Sequence, residues 1–383
     1  RCKQYPSGNY KPVGLLQNFG ETDRIRFGLM TGSYTRNLSG GVLRKNISPL
    51  NDEINVDTNG TFVNLPAAGV GTSTAPGDAT ASFQGGSIIR SLSRMRIAGY
   101  NYNDGTYFGG PSNDNCPYQR ALDSNGECKS WGNPMSEIYY EGLRYLAGQA
   151  APTPAFSTSD TGVIAGLATA QWPTNPKSLL SEKNYCAPLN VLVVNGAVST
   201  NEQDNQIGAL GFMAGAPGTA AQLTNEVGSL WGLSGSYFYG NAAGAGAGST
   251  GYQICSGKTL TGLGEALGIC PEGPTLNGSY LMAGLAHHAH TNRVRTDIAV
   301  PSSANKLKRP ALHVDTYGVS IAGGIPRIPV KFKGEVEPRA VIQPAYRLTN
   351  GTYGGGGALV DARVIRQIEE EDRSYGQIMV SWE

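Results

Sequence analysis

PLNVLVVNG, residues 188–196, decides the fold. Leu189 and Val191 to Val194 form an apolar run too continuous for a strand with one wet face, because successive side chains point to opposite sides of a sheet. Such a run belongs at the centre of a parallel sheet covered on both sides. HVDTYGVSI, residues 313–321, has the same β-branched and aromatic character and reads as a second strand of this kind. Between the two lie a Gly/Ala tract, GNAAGAGAGSTG (240–251), read as a flexible loop, and the apolar segment GSYLMAGLAHHAH (278–290), read as a helix. Strands separated by helices over this length predict an α/β fold with right-handed crossovers.

Working outward, RIRFGLMTGSY (24–34) predicts a strand around Ile25 to Thr31 after an apolar element in YKPVGLLQNF (10–19). Residues 51–86, rich in Asn, Gly, Thr and Ala, read as an excursion over the surface. SIIRSLSRMRIAGY (87–100) places Ile88, Leu92 and Met95 at helical spacing and ends at Gly99. NPMSEIYYEGLRYLAG (133–148) is a stronger helix. Asn133 suits its cap and Pro134 its first turn, while Met135, Ile138, Tyr139, Leu143 and Leu146 share one face. In the last fifty residues, ALVDARVIRQI and GQIMVSWE flank the polar turn EEEDRSY, which predicts an antiparallel hairpin appended to the sheet. The expected division is therefore 1–334 for the sheet-bearing region and 335–383 for the hairpin extension.

Thirty basic side chains against 29 acidic ones leave a formal charge of +1, so no long-range field draws the chain to nucleic acid or anionic lipid. No stretch approaches the roughly 20 apolar residues of a membrane helix, so no membrane insertion is expected. With only 15% charged residues but 53 glycines and 22 prolines, the chain predicts many turns and long loops around a modest framework. It opens at Arg1 without a methionine, from which a longer, processed precursor is expected. Six cysteines with no CxxC pair favour disulfides over zinc. Cys116 with Cys128 and Cys255 with Cys270 would close short loops, each contributing about 3 kcal/mol. Cys2 with Cys186 would remain, although other connectivities are open.

The chemical motifs are weak. HHAH brings His287 and His290 to one helix face, yet two imidazoles fall short of a zinc site and HExxH is absent, so packing is the expected role. GYQICSGKTL (251–260) lacks the first glycine of a phosphate loop, and GLGEALG (262–268) misses the dinucleotide spacing by one residue. There is no GxSxG elbow. The acidic run Glu369 to Asp372 lacks the alternating ligands of a calcium loop and reads as a solvated turn. Neither a catalytic residue nor a cofactor site is expected.

Several long stretches do resemble one family. YKPVGLLQ, RFGLMTGSY with SGGVLRKNI, WGNPMSEIYYEGLRYLAG, LNVLVVNG, and GICPEGPTLNGSYLMAGLAHHAHTNRVRTD leading to VDTYGVSI are similar to the PilY/PilC proteins, adhesins and assembly factors of bacterial type IV pili. The resemblance implies a von Willebrand factor A-like, Rossmann-like sheet covered by helices, ahead of a C-terminal propeller that is absent here. It implies a secreted, non-enzymatic protein at the pilus tip or outer membrane surface of a Gram-negative bacterium. Its roles would be pilus assembly, control of retraction and attachment, with minor pilins and a host or abiotic surface as partners. The DxSxS metal loop of A-type domains does not occur in these residues, and Asn195 and Gly196 stand where an acidic residue often follows the central strand. No metal ligand is therefore carried over, and any calcium belongs to segments outside these 383 residues. A secreted metal-dependent A-type binding domain unrelated to pili is the alternative.

Overall fold

The computed structural model of the chain describes residues 2–63, 72–75, 78–84, 86–101, 103–107, 124–130, 132–167, 169–175, 179–196, 202, 206–242, 256–269, 278–306, 309–321, 328–342 and 359–382. Most of the Gly/Ala tract, and residues 64–71, 76, 77 and 85 of the 51–86 excursion, lie outside the described residues. No helix among the described residues is long and apolar enough to cross a membrane.

The chain begins with a short antiparallel pair, β1 (Cys2–Gln4) and β2 (Tyr10–Pro12), followed by α1 (Leu15–Gly20). Then β3 (Phe27–Thr31) turns back on β4 (Val42–Ser48). A second hairpin, β5 (Thr72–Ala75) with β6 (Asp78–Gln84), leads to α2 (Ile88–Arg94). Next come α3 (Met135–Leu146), β7 (Leu189–Asn195) and α4 (Ala220–Leu230). Small antiparallel pairs join β8 (Gly235–Tyr239) to β10 (Ser256–Leu260), and β9 (Asn241–Ala242) to β11 (Ala266–Leu267). The chain then forms α5 (Leu281–Thr291) and β12 (Val314–Ser320). It finishes with two hairpins, β13 (Ile328–Val330) with β14 (Ala340–Ile342), and β15 (Leu359–Glu369) with β16 (Ser374–Trp382).

The parallel pair is the one expected: β7 and β12 align from Val314 opposite Leu189 to Ser320 opposite Asn195. It is two strands wide among the described residues. β3 lies outside this sheet and pairs antiparallel with β4. The connection between β3 and β4 is short, and a short connection permits only antiparallel pairing, since a parallel partner needs a crossover of a dozen residues or more. The final hairpin likewise pairs with itself and is not added to β7 and β12. It is tied to its neighbour by Lys333 N donating to Glu370 O (2.9 Å) and Gln367 Nε2 donating to Pro329 O (2.7 Å). The division expected after residue 334 thus falls within the β13–β14 hairpin.

One main core joins α3, α5 and the inner side of β7 and β12. Tyr139, Tyr140, Leu143 and Leu146 of α3 pack with Leu285 and Ala289 of α5, Leu189 and Val193 of β7, and Val314 at the start of β12. Complete burial of a leucine such as Leu143 or Leu285 stabilises the fold by about 1.5–3 kcal/mol. A smaller cluster of Tyr5, Leu50, Ile54 and Ile88 holds the N-terminal elements.

Helix ends account for the departures from the predicted boundaries. Asn133 does not cap α3; its Nδ2 donates to Asn195 Oδ1 (2.9 Å), tying the helix start to the end of β7. Glu202 replaces it, its Oε1 accepting from Ser136 N (2.8 Å). α2 stops at Arg94, before Gly99, with Ser87 accepting from Arg90 N at its start. α4 opens with a capping box in which Thr219 Oγ1 accepts from Gln222 N and Gln222 Oε1 accepts from Thr219 N.

Helices α4 and α5 cross so closely that a Cβ on Gly284 would lie 2.4 Å from Thr224 N. Gly142 of α3 has nothing within 4 Å of its Cβ position. Gly284→Ala is therefore expected to cost about 1–3 kcal/mol through overpacking. Gly142→Ala should stabilise by roughly 0.5–1 kcal/mol through helix propensity. Urea denaturation midpoints that move in the same direction for both would contradict this packing.

Candidate contact surface

Buried carboxylates position the loops around the core. Asp160 is fully buried and accepts from Ser33 Oγ (2.8 Å), from the backbone N of Tyr34 and Thr35 (3.0 Å each) and from Thr35 Oγ1 (3.1 Å). The equally buried Arg44 donates to its other oxygen, and Arg44 also donates to Thr31 Oγ1 and Gly32 O. The turn after β3 is in effect wound around one anion. Burial alone would raise the Asp160 carboxyl, but the Arg44 guanidinium and the hydrogen bonds from Thr35 and Ser33 outweigh it and hold the pKa below the ordinary carboxylate value.

Two glutamates one turn apart on α3 act in the same way. Glu137 accepts from Gly40 N and Gln206 N, each at 2.6 Å. Glu141 accepts from Thr153 N (2.7 Å) and Thr153 Oγ1 (2.8 Å), and pairs with Arg144 (3.1 Å). Burial raises the Glu141 pKa despite these partners. Glu53 accepts from Ser87 Oγ and from Ile88 and Ile89 N, satisfying the first amides of α2 from outside the helix.

With the loops fixed, the surface they frame is the outer side of β7 and β12. Leu189, Val191 and Val193 face the core, and Thr316 Oγ1 shares a hydrogen bond with Tyr139 OH at 2.6 Å. The alternate residues face away: Leu192 is 64% exposed, Val194 53%, Tyr317 56%, Val319 47%, and Ile321 just beyond the strand 75%. Leu192 lies opposite Tyr317 and Val194 opposite Val319, so the residues form two cross-strand rows. The expectation that β7 is covered on both sides is therefore corrected. Both faces carry apolar side chains, and the helices of the described residues cover only one. At the end of this face Asp315 pairs with Arg309 and His290 (2.9 Å each).

Of the three histidines of HHAH, His288 packs as the helix reading implies, whereas His290 is exposed and His287 half-buried. His288 is buried, with Nε2 2.9 Å from Ala214 O. His290 contacts Asp315 at the rim, and His287 sits in an open groove with Gln222, Asn225, Glu226, Ser229 and Leu230. No group of three or more His, Cys, Asp or Glu side chains that could hold a metal ion occurs among the described residues. Lys258 of the rejected phosphate-loop stretch lies in β10 and donates to Tyr239 O (2.7 Å). The acidic run forms the β15–β16 turn, where Glu370 accepts from Arg373 and from Tyr375 OH.

The expected Cys2–Cys186 bridge is absent: both are free, exposed thiols. Cys2 lies in β1, whose hairpin packs with the small N-terminal cluster, and Cys186 lies in the turn that leads into β7 beside the main core, so the two belong to separate packing units. Cys128 is buried against Leu38 and disulfide-bonded, and its partner lies outside the described residues, as do Cys116, Cys255 and Cys270. The clamp carboxylates went unrecognised in the sequence. Their only signal there is Glu137 and Glu141 recurring at i, i+4 on a helix whose remaining residues are largely apolar.

Comparison with known proteins adds a family. The family model for the PilY1 homolog, second domain, matches residues 27–289. The type IV pilus biogenesis factor PilY1 homolog of Xylella fastidiosa is 28% identical over 408 aligned residues, covering 100% of this chain and 26% of the relative. The chain thus spans about a quarter of the length of the curated relative it matches. No solved structure matches.

Because the Asp160 pKa is lowered on folding, its contribution is complete above the ordinary carboxylate value of about 4 and is lost as pH falls toward the lower folded value. Asp160→Asn leaves Arg44 buried without its counter-charge and is expected to cost about 3–5 kcal/mol at neutral pH. Between about pH 5 and pH 3 the variant should lose less further stability than the parent. Parallel pH profiles of the two denaturation midpoints would remove Asp160 from this role.

Proposed function

The chain belongs to the family of PilY1 homologs, and from this premise we propose that it is a non-enzymatic part of a type IV pilus biogenesis factor that holds out contact surface during pilus assembly. The observation that carries this reading is the family match across residues 27–289, which takes in α3, β7 and all but the end of α5. The relative's name, type IV pilus biogenesis factor, supports the same role. The protein is assigned to the cell exterior, at the pilus tip or the outer membrane surface. There it supports assembly, opposes retraction and promotes attachment, with minor pilins and a host or abiotic surface as partners.

The fold proposed for this role is an A-type sheet. Its support is the parallel β7–β12 pair, with α3 and α5 packed on the inner side. Clamped loops and an outward apolar face suit a binding role, since a contact surface must keep its shape before its partner arrives.

Deletion of the gene in a piliated strain is expected to remove most surface pili, and the intact gene should restore them, as counted by electron microscopy. Gold-labelled antibody to this chain should decorate filament ends or the cell surface. Normal piliation and attachment in the deletion strain would count against the proposal.

A further inference from the structure

A lysine is almost never fully buried unless it is paired, and Lys45 of β4 is 1% exposed. Its Nζ contacts Asp52 Oδ2, lies 3.3 Å from Glu53 Oε1 and donates to Gly86 O at 3.5 Å. Leu50, Ile54 and Ile88, close to these groups in the chain, belong to the small apolar cluster of the N-terminal elements. One cation thus faces two carboxylates in an apolar setting. The arrangement is not fully satisfied, because Asp52 Oδ1 is buried without a hydrogen-bond partner. Burial raises the Asp52 carboxyl despite the lysine beside it, which favours the neutral acid. An ion pair here bears the desolvation cost of two charges, whereas an amide carries neither charge.

We propose that Lys45 and Asp52 join in an isopeptide bond, formed once within the folded chain with Glu53 as the proton carrier. The first proton passes from Nζ to Oδ2 across their contact, leaving a neutral amine beside a neutral acid. The amine lone pair attacks Asp52 Cγ. As the Nζ–Cγ bond forms, Glu53 Oε1 takes a second proton from the nitrogen and delivers it to Oδ2. The Cγ–Oδ2 bond then breaks, its electron pair stays with the oxygen, and water leaves. The last proton remains on the amide nitrogen, Glu53 ends as it began, and nothing is oxidised or reduced. Condensation is unfavourable between free groups in water, but groups held in contact react with an effective concentration of about 10⁵ M or more. Glu53 is fixed for this task, since Ser87 Oγ and the Ile88 and Ile89 amides donate to its two oxygens. The bond closes a covalent loop over residues 45–52 that ties β4 to the turn after it. It concerns chemistry within the chain, so it stands or falls separately from the pilus assignment.

Peptide mapping of the complete protein, expressed from its gene and kept folded, tests the bond. After denaturation and reduction, trypsin should cleave after Arg44 but spare the Lys45–Asn46 bond, because an acylated lysine is no longer its substrate. The expected product is peptide 45–90, lighter than its sequence mass by one water and giving no fragments from backbone breaks between Lys45 and Asp52. Peptide 46–90 at its full mass would overturn the proposal, as would a water loss that the fragments place elsewhere. Lys45→Arg and Asp52→Ala should each give peptide 46–90 at full mass, and the parent result decides the matter should either variant fail to fold. Glu53→Gln keeps an oxygen that can accept from the α2 amides but cannot carry the proton. Bond formation in that variant, followed over time after synthesis, should slow about 10²-fold. An unchanged rate would overturn the step as written.

Discussion

Backbone amides that find no partner in a helix or sheet must be satisfied elsewhere, and in this molecule buried carboxylates do much of that work. Asp160, Glu137, Glu141 and Glu53 each accept two or more hydrogen bonds, most of them from backbone nitrogen of a loop or helix start. A buried anion costs several kcal/mol in desolvation. That cost is offset only if nearly every lone pair is occupied, so the loops converge on these oxygens in one arrangement. In a chain with 53 glycines, whose loops are entropically expensive to order, such convergence supplies the rigidity that small two-stranded ladders cannot.

The clamps and the sheet are connected through α3. Its Glu137 and Glu141 hold loops, its Tyr139 hydroxyl reaches β12, and its start is tied to the end of β7 through Asn133 and Asn195. Burial pushes the Tyr139 phenol up to about 12, so it remains a neutral hydrogen-bonding group at any physiological pH. The inner face of the parallel pair is thereby registered against the helix, and the outer face inherits that precision.

The local periodicities were legible. Helices α3 and α5, both parallel strands and the terminal hairpin lie where their hydrophobic patterns put them; the helices and the inner side of the parallel strands bury apolar residues, whereas Val364, Ile365, Ile378, Met379 and Val380 of the hairpin are exposed. Long-range pairings were not legible. Ser33 and Asp160 are 127 residues apart and Gly40 and Glu137 are 97 apart, and no short-range pattern links an acceptor to amides at that distance. The apolar run of β7 announced two apolar faces, yet it could not say that the second is left open by the described residues. Asn133 misled because Asn195 competes for its side chain, while Glu202 from a distant loop satisfies the helix amide. The Cys2–Cys186 pairing failed for a related reason: spacing constrains loop closure, whereas the packing unit to which each thiol belongs decides whether the sulfurs meet.

The terminal hairpin carries one more implication. Leu359 lies opposite Trp382, so the chain enters β15 and leaves β16 at the same end of an antiparallel ladder. A pull applied at Trp382 against the body of the molecule peels that ladder open one pair at a time, which is the weakest way to load it. The parallel strands β7 and β12, drawn lengthwise, would have to shear all their bonds together. Tension is therefore relieved first at the hairpin, which pays out on the order of 80 Å of extended chain before the clamped core feels the load.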